Sequence, residues 1–185
     1  MKSWFRLIIL AIIVLLVCGL WLLSIHQISK KKAAIGRIEN LPKIEMLTLQ
    51  NEKIFLSDFS FEETKVLIYF NTHCDFCQFE MEELSKRLPE FENCEIFLFS
   101  AEPIDSLQKL CNQFKGGYNV TIGHCPYDTV VKYFGKLGSP SIFIYGEDNK
   151  LVKKFNGSTR INELLDVVYN AKNKDEEKQH PQKNE

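Results

Sequence analysis

The chain has 185 residues, enough for one domain of ordinary size with appendages. Its 23 Lys and Arg stand against 24 Asp and Glu, for a formal net charge of −1. The lysines are spread along the chain, so no basic patch marks a nucleic acid as partner.

Residues 7–25 are uncharged and apolar on every face, which argues against a buried core helix. The segment is long enough to cross a hydrocarbon layer and longer than a typical signal-peptide core. No small-x-small cleavage site closes it, and Cys18 follows Val17 with apolar residues beyond it, so an uncleaved anchor is preferred to a cleaved signal or a lipoprotein site. We therefore expect a transmembrane anchor over residues 1–25. Lys2 and Arg6 flank one side and Lys30, Lys31, Lys32 and Arg37 the other, so charge alone leaves its orientation open. Residues 26–41 read as a polar, basic tether to a folded domain over residues 42–171, and the charged stretch 172–185 as a disordered tail.

Within the domain, Ile44 to Leu49 alternates as a half-buried strand, and a turn at Asn51-Glu52 leads to Ile54-Phe55-Leu56. Lys65 to Phe70 is a nearly continuous apolar run, the mark of a central strand covered on both faces. It feeds into Cys74-Asp75-Phe76-Cys77 and a helix that Pro89 ends near Leu88. Glu95 to Ser100 is a further buried strand, followed by a helix with Pro103 in its first turn. Gly116-Gly117 breaks that helix, Asn119 to Ile122 is extended, and Tyr127 to Phe134 is helical. Ser141 to Tyr145 and Leu151 to Phe155 form a hairpin across Gly146 to Lys150, and a last helix buries Ile161, Leu164, Leu165 and Val168. Strands alternating with helices predict an α/β domain with a central mixed sheet flanked by helices.

The chemistry lies in the Cys-x-x-Cys element. Two sulfurs at a helix N-terminus meet unpaired backbone N–H groups and the positive end of the helix dipole, which favour a thiolate. Cys77, Met81, Leu84 and Leu88 fall at i, i+4, i+7 and i+11, one buried stripe. Cys77 thus faces inward while Cys74 stays near solvent. One exposed attacking thiol and one shielded resolving thiol are what exchange through a mixed disulfide requires. Half of a zinc site is the main rival, with His73, His124 or Cys125 as further ligands. The adjacent His124-Cys125 is a poor spacing for two ligands of one tetrahedral ion. An inert structural disulfide is the other rival.

These features together resemble the thioredoxin-fold TlpA/ResA-type thiol–disulfide oxidoreductases over about residues 42–170. The resemblance rests on Leu56-Ser57-Asp58-Phe59 at the end of a leading hairpin, on strand–Cys74-x-x-Cys77–helix with Glu80 three residues on, and on Phe134-Gly135-Lys136-Leu137-Gly138-Ser139-Pro140-Ser141-Ile142-Phe143-Ile144. It extends through Asp148-Asn149-Lys150 and Phe155-Asn156-Gly157. It implies a thioredoxin-like fold with an N-terminal β-hairpin, and a cis Ser139–Pro140 bond beside the cysteines, where Pro140 shapes a substrate groove. The residues alone favour a trans bond, since cis accounts for only about 5–6% of X–Pro bonds. It further implies a single-pass protein of the inner, cytoplasmic membrane with an extracytoplasmic domain, acting on protein disulfides or dithiols and reduced by a membrane electron donor. No cofactor or metal is expected.

The chain departs from the family pattern in the groove. His73 stands where a tryptophan is usual and Phe76 where a proline is usual, so His73, Asp75, Phe76 and Ser139 are expected to line the groove. As a cation, His73 would favour a thiolate on Cys74, and Asp75 would oppose it. The peroxiredoxin pattern Pro-x-x-x-Thr-x-x-Cys is absent, because Val66 to Cys74 contains no proline. Cys94 and Cys111 read as core residues, and Cys125 as an ordinary semi-buried cysteine rather than a third redox thiol. We expect a membrane-tethered enzyme in which Cys74 attacks, Cys77 resolves and Glu80 manages a proton. The alternative is a tethered thioredoxin-fold binding or scaffold module whose cysteines serve structure or metal.

Overall fold

The computed structural model describes residues 4, 12–24, 36–58, 63–111, 114 and 119–179. The expectations for residues 1–3, 5–11 and 25–35, for Phe59, for Gly116-Gly117 and for residues 180–185 lie outside the described residues, as does the side chain of Cys111. The chain divides into two units, residues 1–36 and 37–185. In the first, residues 12–24 are helical (α1), with Ser24 Oγ bonded back to the Leu20 carbonyl. Among the described residues no helix is long and apolar enough to cross a membrane.

The second unit is built on a sheet of seven described strands: β1 (Glu45–Thr48), β2 (Lys53–Phe55), β3 (Thr64–Tyr69), β4 (Cys94–Ser100), β5 (Val120–His124), β6 (Ser141–Tyr145) and β7 (Leu151–Asn156). Their order is β2-β1-β5-β4-β3-β6-β7. The central strands β3, β4 and β5 run parallel, and β1 and β6 join them antiparallel. The helices are α2 (Asp75–Lys86), α3 (Ile104–Cys111), α4 (Tyr127–Phe134) and α5 (Ile161–Gln179). This is the mixed α/β architecture the strand and helix alternation predicts.

Every residue of β3 is buried, and alternate side chains serve two cores, as a strand covered on both faces requires. Val66, Ile68 and Phe70 join Cys77, Met81 and Leu84 of α2, Leu107 of α3 and Leu164, Leu165 and Val168 of α5. Leu67 and Tyr69 join Phe97, Phe99, Phe143, Val130 and Phe134 on the α4 face. Fully burying Met81 and Leu84 stabilises the seat of α2 by roughly 1.5–3 kcal/mol each, which holds the cysteine-bearing end of the helix against β3. Where β1 crosses to β5, Gly123 is required: a Cβ there would lie 2.6 Å from the Leu47 carbonyl oxygen. The β6–β7 turn uses Asn149 at φ 57°, and its Gly146 N–H donates to the Lys150 carbonyl. That is the hairpin expected from its residues.

Two boundaries move. The tether expected over 26–41 gives way to the domain earlier: Ile38 is buried among the α4-face residues, and Leu41 N–H donates to Asn149 O while Leu151 N–H donates to Glu39 O. Ile38 and Leu41, among the apolar residues of that run, pack on the domain. The disordered tail expected from 172 is instead a continuation of α5 as far as Gln179. Its polar residues are good helix formers, and no glycine or proline interrupts them before Pro181.

Candidate active site

The parallel strands β3, β4 and β5 point their C-terminal ends the same way, so Asn71–Cys74, Ser100–Glu102 and His124–Cys125 gather at one edge of the sheet. Cys74 is the N-cap of α2, with extended backbone (φ −94°, ψ 115°) and no side-chain cap bond. Its sulfur thus lies at the positive end of the helix without capping it. It is half-buried, and its Sγ–H donates to the Ser139 carbonyl at 3.5 Å. Ser139 precedes Pro140 across a cis peptide bond, so that bond is cis and lies beside Cys74, as the resemblance implied. Gly157 N–H donates to the Pro140 carbonyl at 2.9 Å and ties the end of β7 to this corner.

Cys77 faces inward on α2, only 1% exposed. Burial pushes its thiol up to about 12; the neighbouring Cys74 and Glu80 add to the rise, and an Asn71 backbone hydrogen bond works against it. Cys74 and Cys77 are both free thiols. Glu80, one turn beyond Cys77, is 2% exposed. Its Oε2 accepts from Thr159 N–H at 3.1 Å, and its Oε1 has no hydrogen-bond partner. Burial raises its carboxyl to about 7, only partly offset by the Thr159 bond. A solvated helix carboxylate would show none of this. Glu80 also lines a cleft of about 500 Å³ with Phe79, Arg87, Thr159 and Arg160.

His73, Asp75 and Phe76 are exposed around Cys74, and Phe76 and Phe79 are 67% and 61% exposed. Three residues apart on α2, they present two exposed rings on one side of the helix. The sequence reading missed Glu102, Thr72 and Thr159. Glu102 accepts from Thr72 N–H and Oγ1–H at 2.7 and 2.9 Å, and lies 3.1 Å from His73 Nδ1. The available signal was an acidic residue just past a strand at the same sheet edge as the cysteines.

Cys94 opens β4 and is buried, and Cys125 is fully buried on the α4 face. Burial raises their thiols to about 12 and about 11. Cys125 is more buried than expected, and neither sulfur meets solvent. His124 Nδ1 contacts the Glu102 carbonyl at 2.8 Å, so the histidine offered as a zinc ligand is engaged on the protein backbone. Among the described residues no group of three or more His, Cys, Asp or Glu has the arrangement of a metal site.

The AhpC/TSA family model matches residues 38–154. No curated protein is similar enough in sequence to count as a match. Among solved structures, the secreted Mycobacterium tuberculosis disulfide oxidoreductase homologous to E. coli DsbE is 15% identical at a TM-score of 0.60, with 73% of this chain and 98% of that one covered. A peroxiredoxin-like protein from Aquifex aeolicus is 14% identical at 0.59, covering 72% and 85%. The yeast mitochondrial 1-Cys peroxiredoxin is 18% identical at 0.64, covering 76% and 78%. At such identities the likeness establishes the thioredoxin-like fold. The family match and the dithiol on α2 together identify the chain as a member of the AhpC/TSA family and a thioredoxin-fold thiol–disulfide oxidoreductase.

Proposed function

We propose that this protein is a membrane-tethered reductase of disulfides in extracytoplasmic proteins, working through Cys74 and Cys77. The arrangement that carries the reading is a half-exposed Cys74 at a helix N-terminus beside Ser139–Pro140, with Cys77 and Glu80 buried behind it. The Cys74 thiolate attacks one sulfur of the substrate disulfide, and the other substrate sulfur leaves as a thiolate. Cys77 passes its proton to ionised Glu80, and its thiolate attacks Cys74 Sγ. That step releases the second substrate thiolate and closes the Cys74–Cys77 disulfide, so two electrons have moved to the substrate. Protonated Glu80 sheds its proton through the Phe79–Arg160 cleft. A membrane electron donor then returns the protein to the dithiol. The exposed Phe76 and Phe79 rings support protein rather than small-molecule substrates.

The direction proposed is reduction: a strong oxidant is one whose reduced form is stabilised, and here two carboxyl groups, Asp75 and Glu80, stand near the dithiol on α2. The Cys74/Cys77 couple is expected below about −200 mV, nearer to thioredoxin than to DsbA. Equilibration with glutathione buffers measures it, and a value near that of DsbA rejects the reductase direction.

The apolar segment 7–25 supports the tether, and the resemblance to TlpA/ResA-type proteins supports the extracytoplasmic side. Protease added to intact spheroplasts is expected to digest the chain beyond Lys32. Protection until lysis would place the domain in the cytoplasm and remove the need for a membrane donor.

A further inference from the structure

Glu102 is the most heavily hydrogen-bonded side chain at the active-site edge, and the reaction above makes no use of it. Its Oε1 lies 2.9 Å from Thr72 Oγ1 and 3.1 Å from His73 Nδ1, and its Oε2 lies 2.7 Å from Thr72 N and 3.3 Å from Ser100 Oγ. Ser100 Oγ in turn accepts from the Glu102 N–H. A carboxylate has about four acceptor sites, and here each faces a donor. Because it only accepts, the His73 nitrogen facing it carries a proton, which leaves Nε2 as the outward nitrogen of an 85% exposed ring. Burial alone would raise the Glu102 carboxyl; the bonds from Thr72, His73 and Ser100 outweigh it and hold the group below its ordinary value. The side chain is thus an anion at the end of β4 that grips the two residues entering the active-site cap.

We infer that Glu102 is the positioning residue of the attacking thiol: it fixes His73 in its Nδ1–H form against the sheet edge and, through that ring, sets the surroundings of Cys74. The inference rests on Cys74 being the attacking sulfur. His73 immediately precedes Cys74, the N-cap of α2, so holding Thr72 and His73 on the sheet edge fixes where the chain enters the cap and where the attacking sulfur sits.

Glu102→Gln separates this role from simple anchoring of the loop. The Thr72 N–H can only donate, so the Gln oxygen is drawn to it and the backbone anchor survives. The Gln amide then faces His73 Nδ1, whose proton loses its carboxylate acceptor and keeps only the weaker Thr72 Oγ1, 3.1 Å away. A mere anchor would tolerate Gln and fail only in Glu102→Ala. The test uses the full-length chain in detergent, with a model disulfide as probe and the first product assigned to Cys74 by peptide mass. Attack is expected to slow by about tenfold in Glu102→Gln, a modest loss for a displaced reacting group, with release of the mixed disulfide unchanged. His73→Ala, which removes only an exposed ring, is expected to slow attack at least about threefold, and in that background Glu102→Gln should lose most of its effect. Attack within about twofold of wild type in both single variants overturns the inference, as does an undiminished effect of Glu102→Gln in the His73→Ala background. If Glu102→Gln does not fold, His73→Ala alone decides, since unchanged attack there leaves Glu102 nothing to act through. A wild-type chain that forms no adduct at Cys74 refutes the reductase reading itself, an outcome distinct from active wild type with indifferent variants.

Discussion

Cys74→Ser is expected to abolish reduction of a model protein disulfide, while Cys77→Ser accumulates a mixed disulfide through Cys74. The two cysteines differ in what surrounds them. Cys74 sits at the open N-terminus of α2 with its sulfur on the Ser139 carbonyl, half-exposed. Cys77 is 1% exposed, within the core that includes Met81 and Leu84. A bulky protein disulfide can reach the first and not the second. A serine at position 74 cannot open the exchange, and the loss should be complete within detection. A serine at position 77 leaves the first attack intact but removes the sulfur placed behind Cys74 to displace the substrate, so the adduct persists. Non-reducing electrophoresis of native membranes, followed by peptide mapping, reads both outcomes and names the substrates captured. Adducts formed in Cys74→Ser and absent in Cys77→Ser would reverse the assignment and overturn the burial argument.

The burial of Cys77 and the greater exposure of Cys74 were legible from residue spacing alone, because a helical stripe and a continuous apolar strand are local patterns. Tyr127 to Phe134 was legible for the same reason, and its helix has the expected bounds. The hairpin at Gly146 to Lys150 follows from turn residues whose backbone preferences are intrinsic. The Ser139–Pro140 bond is of another kind: its own residues favour trans, and only the resemblance pointed to cis. Glu102 was not legible, because its partners Thr72 and His73 lie about thirty positions away, joined to it only by the parallel register of β3 on β4. The docking of Ile38 and the helix beyond residue 172 escaped for want of periodicity. The scattered apolar residues of 26–41 sustain no period, and the last turns of α5 are polar on every side.

Glu80→Gln is expected to leave the first attack by Cys74 near wild type and to slow release of the mixed disulfide at least about tenfold, within the usual reach of general-base catalysis. Release needs a thiolate on Cys77, whose thiol burial has pushed up to about 12. Near neutral pH that proton leaves readily only to a base close at hand. Glu80 stands one turn away, with Oε1 unengaged and its carboxyl raised to about 7. Wild-type release should therefore rise about tenfold between pH 6 and pH 8 as Glu80 ionises and then level off, a profile that Glu80→Gln loses. The same carboxyl leaves a mark on stability, and the sign is fixed by the raised folded value. Below about pH 4.5 the group is neutral in both folded and unfolded chains and costs nothing. As pH rises from there, the unfolded chain ionises first and stability falls, until the loss becomes constant above about 7. The gap between those values is equivalent to about 3 kcal/mol, and the amide of Gln, seeking a partner of its own, returns part of it. Glu80→Gln should thus be more stable than wild type by about 1–2 kcal/mol at pH 8 and less stable by about 1–2 kcal/mol at pH 4, where only the amide's own cost remains. Stopped-flow traces with separate attack and release phases, paired with denaturant unfolding at the two pH values, test both halves. Slower release together with a pH-dependent gain in stability would mark Glu80 as a carboxyl held at an energetic cost for the proton it takes from Cys77. Unchanged release would leave it a buried acid with no part in the exchange.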